Sequence, residues 1–293
     1  MPAAFLNELC GFRGDLRTAG VVSAFPNTSD RSDAISVELG RRLFEIIGIP
    51  ASQIGPSKVG EALGTKVIDD LAARVGVQGT VGSGSATAFR QYSHLKAFAD
   101  FKREVERSDD MEVQQIIDAV RDLPAGPARG AVLRRLNQLK VRLGRRDALV
   151  ERLLTSAPEE SLLGLDVTIS DNSTAGPAEL RTALSLKWSL RTDRAQDCLS
   201  QGAKLASQRR GRMPHYGVVT MEPRPYMLAI LCDGSGAVDF VYHLHLDAVR
   251  EAVARLASER GDSDRWQGVR TLERLVGQGR LRDYDDLVDE ITA

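Results

Sequence analysis

Two neighbouring apolar runs in the second half of the chain each carry one charged residue, and this feature most constrains the fold. The first run, residues 163–169, contains Asp166, and the second, residues 183–190, contains Lys187. Short apolar runs separated by a turn-rich segment, here 170–176, are typical of buried β-strands. The pattern therefore predicts two strands of one sheet, with a carboxylate and an ammonium group meeting at the same edge.

Helical patterns lie on both sides of this strand region. An amphipathic helix is expected after Ser32 and Asp33, which can cap it, and another is expected over about 60–75. The glycine- and serine-rich stretch 82–85 predicts a loop. Further strand-like runs are 216–220, 226–231 and 238–243, and further helical patterns are 193–208, 248–258 and 270–276. We therefore predict an α/β fold with a central mixed β-sheet flanked by helices.

The charge balance excludes a uniformly basic surface. Lys and Arg number 39 and Asp and Glu number 40, so the formal net charge is −1. A protein of this composition that binds nucleic acid must concentrate its cations locally. One such concentration lies in 129–146, where a solvated helix face and a phosphate-contacting surface are both compatible with the pattern. Its cations are Arg129, Arg134, Arg135, Lys140, Arg142, Arg145 and Arg146.

The three cysteines, Cys10, Cys198 and Cys232, are scattered and form no CxxC motif. This distribution argues against a disulfide scaffold or a zinc site and fits a reducing compartment. No apolar run approaches the roughly 20 residues that a membrane-spanning helix needs, and the N-terminus shows no signal-peptide pattern. We therefore expect a cytoplasmic location and no membrane partner.

Asp166 and Lys187 have the chemistry of a metal-dependent nuclease. A phosphodiester is anionic and resists hydroxide, so its hydrolysis needs charge neutralisation and an activated water. Carboxylate-held Mg²⁺ supplies both, and a lysine can orient the water. On this interpretation Asp166 is a metal ligand and Lys187 orients the attacking water. An aspartate and a lysine at this separation occur in many proteins, so the interpretation needs support from elsewhere in the chain.

That support comes from Arg191, Asp193 and Arg194, which open the helical pattern directly after the second run. An arginine can donate to both O6 and N7 of guanine, and a carboxylate can accept from N4 of cytosine. The spacing therefore predicts a segment that reads adjacent G·C pairs in a major groove. The alternative is that Asp193 caps the helix and the arginines form surface ion pairs.

Together these motifs resemble the NgoMIV-like group of type II restriction endonucleases, within the PD-(D/E)xK nuclease superfamily. The segments that carry the resemblance are 185–196, 209–223, 241–243 and 91–95. The resemblance implies a restriction-endonuclease-like core. It also implies a single domain over 1–293, with a helical N-terminal part at 1–155 and the catalytic and recognition core at 156–250.

The same resemblance implies Mg²⁺-dependent cleavage of double-stranded DNA at a palindromic site containing CCGG, with GCCGGC as the best guess. Asp166, Lys187 and Ser185 would form the catalytic group, while Arg191, Asp193 and Arg194 would read the CCGG core. A palindrome matches a two-fold homodimer, and the group also forms homotetramers. A cognate DNA methyltransferase of the same system would be a functional partner, not a physical one.

Several positions depart from the group's pattern. Gln201 stands where the group has a second metal-site glutamate, and Asp197, one helical turn earlier, could supply the missing charge. Asp69 and Glu61 are both candidates for an acid on an early helix. Residues near 27–31 and 57–61, including Ser57 and Glu61, are expected to contact outer bases. A leucine, not the usual proline, precedes the strand acid Asp166.

Two other functions fit these departures. Gln201 favours a sequence-specific DNA-binding protein of the same fold in which cleavage is impaired. A nuclease of the superfamily that acts on DNA structure during repair is the other alternative. Dependence of cleavage on Arg191 would separate site-specific action from structure-directed action.

Overall fold

A computed structural model of the chain describes residues 3–14, 22–75, 79–96, 110–156, 163–171, 176–234, 236–261 and 266–292. Residues 172–175 of the predicted turn-rich segment 170–176 lie outside these ranges. The chain forms two compact units. One comprises Met1–Tyr92 together with Leu163–Ala293, and the other comprises Ser93–Leu162.

The first unit begins with short elements and two longer helices. They are α1 (Leu6–Leu9), β1 (Phe12–Gly14), β2 (Val22–Pro26), α2 (Ala34–Ile46) and α3 (Val59–Val75). β1 and β2 pair in antiparallel orientation. Asp33 caps α2, because its carboxylate accepts the backbone N–H groups of Ile35 and Ser36. The two helices predicted from apolar periodicity in this region are thus confirmed.

A six-stranded sheet forms the centre of this unit. Its strands are β3 (Gly79–Ser85), β4 (Gly164–Asp171), β5 (Leu180–Lys187), β6 (His215–Thr220), β7 (Phe240–His243) and β8 (Leu281–Asp283). They lie in the order β3-β4-β5-β6-β7-β8. The β3–β4 and β4–β5 pairs are antiparallel, and the remaining pairs are parallel. The predicted mixed sheet is confirmed.

The described part of the second unit includes two α-helices, α4 (Asp110–Arg121) and α5 (Pro127–Ser156). They pack against each other, and Lys140 Nζ donates to Gln114 Oε1 at 2.6 Å. Helix α5 carries the concentration of cations found in 129–146. Its arginines at 134, 135, 142, 145 and 146 are exposed.

The remaining helices belong to the first unit and follow its strands. They are α6 (Thr192–Gln208), α7 (Pro225–Cys232), α8 (Leu246–Glu259), α9 (Gln267–Gly277) and α10 (Tyr284–Thr292). α8 packs on α2, and α9 packs on α7. Tyr216 on β6, Tyr242 on β7 and Tyr284 on α10 are among the largest fully buried side chains of the core. The sheet is therefore flanked by helices, as predicted. No helix in the described ranges is long and apolar enough to cross a membrane.

Two local predictions are wrong. The expected loop 82–85 is part of β3, because its backbone pairs with β4 from Gly79↔Asp171 to Ser85↔Gly164 and this pairing outweighs the low strand preference of glycine. The expected strand 226–231 is part of α7. Pro225 at the first turn favours a helix start, and a short apolar run cannot distinguish a buried helix from a buried strand.

Candidate active site

The structure brings Asp166, Ser185 and Lys187 together on adjacent strands. Asp166 lies near the beginning of β4, and Lys187 ends the antiparallel strand β5, so both reach the same edge of the sheet. The Oδ2 atom of Asp166 accepts the backbone N–H of Leu186 at 2.8 Å and the hydroxyl of Ser185 at 3.3 Å. Lys187 Nζ lies 4.0 Å from the same oxygen. The predicted juxtaposition of acid and lysine therefore exists in the fold.

The side chains of Asp166 and Lys187 are more accessible to solvent than the hydroxyl of Ser185. The side chain of Asp166 is 45% exposed and that of Lys187 is 25% exposed, whereas Ser185 is buried. A ligand can thus reach the carboxylate and the ammonium group from solvent. Ser185 contacts Asp166 from the protein side and orients its carboxylate.

Gln201 on α6 lies beside the beginning of β4. Its amide nitrogen donates to the carbonyl of Gly164, two residues before Asp166. Its Oε1 atom accepts the hydroxyl of Tyr216 at 2.8 Å. Burial raises the pKa of Tyr216, so the phenol keeps the proton that it donates. Gln201 is therefore close to the predicted metal ligand, but both ends of its amide already have hydrogen-bond partners.

Cys198 on α6 packs against Ser185 on β5. Its sulfur lies 3.6 Å from Ser185 Oγ, and burial raises the pKa of its thiol. The charges of Lys187, Asp166 and Asp197 also act on this thiol. Asp197 is exposed on α6, one turn before Gln201. Within the described residues it forms no hydrogen bond with Asp166.

The candidates at the start of the chain lie on or before α3. Asp69 is exposed on this helix, and Glu61 pairs with Lys58 across 3.0 Å. Ser57 is exposed directly before the helix. Within the described ranges, no hydrogen bond or ion pair joins any of the three to Asp166.

The donor atoms at this edge fit Mg²⁺ with Asp166 as its carboxylate ligand. Mg²⁺ is commonly held by one or two carboxylates, with waters and substrate phosphates completing an octahedron. In the parts of the chain that the structure describes, no three His, Cys, Asp or Glu side chains are grouped to hold a metal. An oxygen site built from one accessible carboxylate does not require such a group. Gln201 Oε1 accepts one hydrogen bond, from Tyr216, and an amide oxygen has a second lone pair.

The segment Arg191–Arg194 begins four residues after Lys187. Because it is predicted to read base edges, we call it the base-reading segment. Arg191 has extended backbone geometry and is the N-cap residue of α6, while Asp193 lies in the first turn. The alternative in which Asp193 caps the helix is therefore wrong. All residues of the segment are exposed. Arg191, Asp193 and Arg194 form no ion pair with any other described residue, and Arg194 Nη1 donates to the carbonyl of Ser189 at 3.4 Å.

Two further arginines lie near the base-reading segment. Burial lowers the pKa of Arg13 on β1, and the positive charges of Arg31, Arg191 and Arg194 lower it further. Arg13 Nη2 donates to the carbonyl of Ser29 at 2.8 Å, and the Arg31 guanidinium lies 5.4 Å from the centre of the Phe25 ring. The Asp30 carboxylate acts in the opposite direction on the pKa of Arg13. A local concentration of guanidinium groups favours binding of an anion. We call Arg13, Arg31, Arg191 and Arg194 the arginine cluster.

No sequence signal pointed to Arg13, which is far from the base-reading segment along the chain. Glu222 and Arg224 were also missed as contributors to the site. They bond to the backbone directly before Arg191, through hydrogen bonds to Leu190. Their Glu-Pro-Arg-Pro sequence could have drawn attention, since charged residues next to a strand end are uncommon inside a core.

Comparison with known proteins places a similarity over the same region. Residues 159–292 match the family model of the NgoMIV restriction enzyme. The type II restriction enzyme NgoMIV of Neisseria gonorrhoeae is 35% identical over 108 residues, which are 37% of this chain and 35% of that enzyme. The match thus spans about a third of the curated relative's length. We conclude that the segment 159–292, which contains Asp166, Lys187 and the base-reading segment, is NgoMIV-like, as its motifs indicated.

Proposed function

We propose that this chain is a type II site-specific deoxyribonuclease that depends on Mg²⁺ and cleaves double-stranded DNA at a palindromic CCGG-containing site. GCCGGC is the leading candidate for the full site. The observation that carries the proposal is the position of Lys187, 4.0 Å from the Asp166 carboxylate and four residues before Arg191. A phosphate-directed group and a base-directed group thus belong to one continuous stretch of chain. The similarity of residues 159–292 to a restriction enzyme supports the same function.

The residues at the sheet edge have separable roles in hydrolysis. Bound Mg²⁺ would neutralise phosphate charge and make a coordinated water more acidic. Asp166 would hold the ion, with Ser185 and the Leu186 N–H fixing its carboxylate. Lys187 would donate to the attacking water or to a phosphate oxygen beside Asp166. Asp197, Gln201 and Asp69 remain proposed secondary contributors to the metal site.

Recognition would come from the exposed charges of the base-reading segment. Arg191 and Arg194 would donate to guanines, and Asp193 would accept from a cytosine amino group. Arg13 and Arg31 would contact backbone phosphates, because the charges of Arg31, Arg191 and Arg194 all act on Arg13 and so form a local concentration of cations. Ser57 and Glu61 are proposed to contact outer bases.

A palindromic site requires two copies of the base-reading segment related by a two-fold axis. We therefore propose a homodimer, with a homotetramer of two dimers as the larger assembly. The two compact units would act within one restriction-endonuclease domain in the cytoplasm. A DNA methyltransferase of the same restriction–modification system would protect the host's own sites.

The proposal is tested by cleavage assays on a GCCGGC duplex with Asp166→Asn and Lys187→Ala. We expect each variant to lose more than ~100-fold in single-turnover rate, because ligand charge or water orientation is lost. The exposed residues Asp122 and Lys96 provide matched controls, as Asp122→Asn and Lys96→Ala. Wild-type rates in both site variants would refute the assignment.

A second candidate function rests on Gln201, whose amide is held by Gly164 and Tyr216. If its neutral side chain leaves the metal site short of charge, the protein would bind CCGG sites tightly without cutting them. Gln201→Glu would then create cleavage in the presence of Mg²⁺. Rapid cleavage by the wild-type chain would exclude this candidate.

A further inference from the structure

Glu222 and Arg224 form a buried ion pair directly after β6. Glu222 is fully buried and Arg224 is 3% exposed. Arg224 Nε donates to Glu222 Oε1 at 2.6 Å, and Nη2 donates to Oε2 at 3.1 Å. Removing two charges from water is costly, so a buried pair is weak evidence for a role in stability alone. Its other contacts indicate a geometric role.

Both members of the pair bond to the same backbone residue, Leu190. The Leu190 N–H donates to Glu222 Oε2 at 2.7 Å, and Arg224 Nη2 donates to the Leu190 carbonyl at 2.6 Å. Leu190 is the last residue before Arg191. The pair therefore fixes both polar groups of the peptide units that lead into the base-reading segment.

The three residues Trp188–Leu190, called the link, connect the end of β5 to the beginning of α6. The link also has partners at its other end. The N–H of Met221 donates to the Trp188 carbonyl at 3.2 Å, and Trp188 Nε1 donates to Asn27 Oδ1 at 3.1 Å. Residues just past β6 thus hold the link along its length, although it belongs to neither strand nor helix.

Arg224 also reaches the beginning of α2. Its Nη1 donates to Asp33 Oδ2 at 3.2 Å and to the Tyr226 hydroxyl at 3.2 Å. Asp33 is the N-cap residue of α2 and follows the turn that carries Arg31. One guanidinium therefore connects the link to the turn that contributes to the arginine cluster.

Burial and mutual pairing act in opposite directions on the pKa of each member, and the net pKa is raised for both Glu222 and Arg224. Burial raises the pKa of Glu222, while hydrogen bonds from Arg224 and from the Leu190 N–H oppose this rise. Burial lowers the pKa of Arg224, but the hydrogen bonds and charge of Glu222 more than reverse the effect and leave it raised. Charge-assisted bonds of this kind are short and strongly directional.

We propose that Glu222 and Arg224 are positioning residues that fix Arg191 relative to Lys187, so that base recognition and phosphate hydrolysis remain in register. This inference rests on the proposed endonuclease function. It assigns the pair no contact with DNA. Loosening the pair would let the base-reading segment move against Lys187, and rapid cleavage would then depend less on the correct sequence.

The test compares cleavage of a GCCGGC duplex with cleavage of a duplex that differs by one base pair in the CCGG core. In Glu222→Gln and Arg224→Lys, we expect the ratio of the two kcat/KM values to fall by about 5- to 150-fold, which corresponds to about 1–3 kcal/mol of discrimination for one misplaced bidentate contact. The Mg²⁺ concentration for half-maximal rate should not change, because Asp166 and its partners are untouched.

An exposed pair of similar geometry provides the matched control. Arg250 Nε and Nη2 donate to the two carboxylate oxygens of Glu273 at 3.1 and 2.9 Å. Arg250→Lys and Glu273→Gln should leave the discrimination ratio at its wild-type value. A similar fall in these variants would contradict a specific role for Glu222 and Arg224.

A double variant, Glu222→Met with Arg224→Leu, keeps the test decisive if a single change leaves an unpaired buried charge and prevents folding. Buried ion pairs often tolerate apolar replacement of both partners, so this variant should fold yet show reduced discrimination. Folded variants with wild-type discrimination would overturn the positioning role while leaving the endonuclease proposal intact. A wild-type chain that cuts no CCGG duplex would overturn both.

Discussion

At position 191 of the candidate site, an arginine and a lysine are expected to differ in base recognition. It is exposed, its backbone is extended, and it forms no ion pair with another described residue. Lysine keeps the charge but lacks the planar fork that donates to guanine O6 and N7 together. Replacing Arg191 with lysine therefore distinguishes recognition through bidentate hydrogen bonds from recognition through charge alone.

Arg191→Lys should lower kcat/KM on a CCGG duplex by about 5- to 150-fold, which corresponds to about 1–3 kcal/mol for one bidentate base contact. Steady-state cleavage of cognate and single-substitution duplexes measures the change. Arg255→Lys, at an exposed position on α8, is the control. Unchanged rates in Arg191→Lys, with cutting at many sequences, would instead indicate structure-directed nuclease action.

His243 is expected to control how folding stability responds to acid. It is fully buried at the end of β7, its Nδ1 atom accepts the N–H of His245 at 3.0 Å, and burial lowers its pKa to about 3. The unfolded chain binds this proton near pH 6.5. Between about pH 6.5 and 3 the unfolded state therefore holds more protons, and the free energy of unfolding falls as pH falls.

This histidine alone should contribute a slope of up to about 1.4 kcal/mol per pH unit. Urea unfolding of the wild type and His243→Gln at pH 7 and pH 5 measures it, with His94→Gln as control. Among the wild type, His94→Gln and His243→Gln, we expect the free energy of unfolding to fall least between pH 7 and pH 5 in His243→Gln. Equal losses in all three proteins would contradict a buried neutral histidine.

The sequence predicted that Asp166 and Lys187 meet at one sheet edge, and the structure confirms this juxtaposition, with Ser185 beside them. The roles of these residues and of the base-reading segment stay predictions. The sequence did not identify Arg13, Glu222 or Arg224, whose roles depend on contacts between elements distant in sequence. Hydrogen bonds to a backbone carbonyl or N–H leave no residue pattern at the position that is bound. Such contacts become visible only in the folded chain.

The position of α6 depends on a close approach to the backbone at Ala237. A Cβ atom at Gly202 would lie 1.9 Å from the Ala237 carbonyl oxygen and 2.8 Å from Tyr216 Cδ1. Gly202 adjoins Gln201, and α6 begins with the base-reading segment. The absence of a side chain at this position therefore allows α6 to lie close to the backbone at Ala237 and to the Tyr216 ring.

Gly202→Ala should destabilise the protein by about 1–3 kcal/mol, because the overlap with backbone outweighs the better helix preference of alanine. Gly64→Ala in α3 is the matched control, since a Cβ there meets no atom within 4 Å. It should stabilise by roughly 0.5–1 kcal/mol. Thermal unfolding measures both changes, and a stabilised Gly202→Ala protein would contradict the close packing.

Element types were predicted best where periodicity was long. The helices α2, α3 and α6 follow clear apolar stripes, and β4 and β5 follow buried runs. The failures at 82–85 and 226–231 concern short segments whose structure is determined by their surroundings. In the first, pairing with β4 forms a strand from glycine and serine, and in the second an apolar run of eight residues forms α7.

For the whole molecule, the near-zero net charge conceals a local concentration of cations. The chain has a formal charge of −1, yet the positive charges of Arg31, Arg191 and Arg194 all act on Arg13. DNA binding should therefore depend strongly on salt although the protein as a whole is almost neutral. The arginine cluster, not the average charge, sets the expected behaviour.

Arg13→Ala and Arg31→Ala should each reduce the slope of log affinity against log salt concentration by about 1, with similar effects on all DNA sequences. Fluorescence anisotropy on CCGG and unrelated duplexes, without Mg²⁺, measures the slope. Arg255→Ala is the control for loss of a cation elsewhere. A wild-type slope in both cluster variants would exclude phosphate contacts by these two arginines.

The central claim is that the sheet edge at Asp166 and Lys187 cuts DNA at a CCGG site selected by the base-reading segment. The most direct measurement is incubation of the wild-type chain with duplexes that contain CCGG in all symmetric flanking contexts, with Mg²⁺ and with excess chelator. We expect double-strand cleavage of the GCCGGC duplex with Mg²⁺ only, and intact DNA where the CCGG core is permuted. Intact DNA in every CCGG context with Mg²⁺ present would contradict the claim.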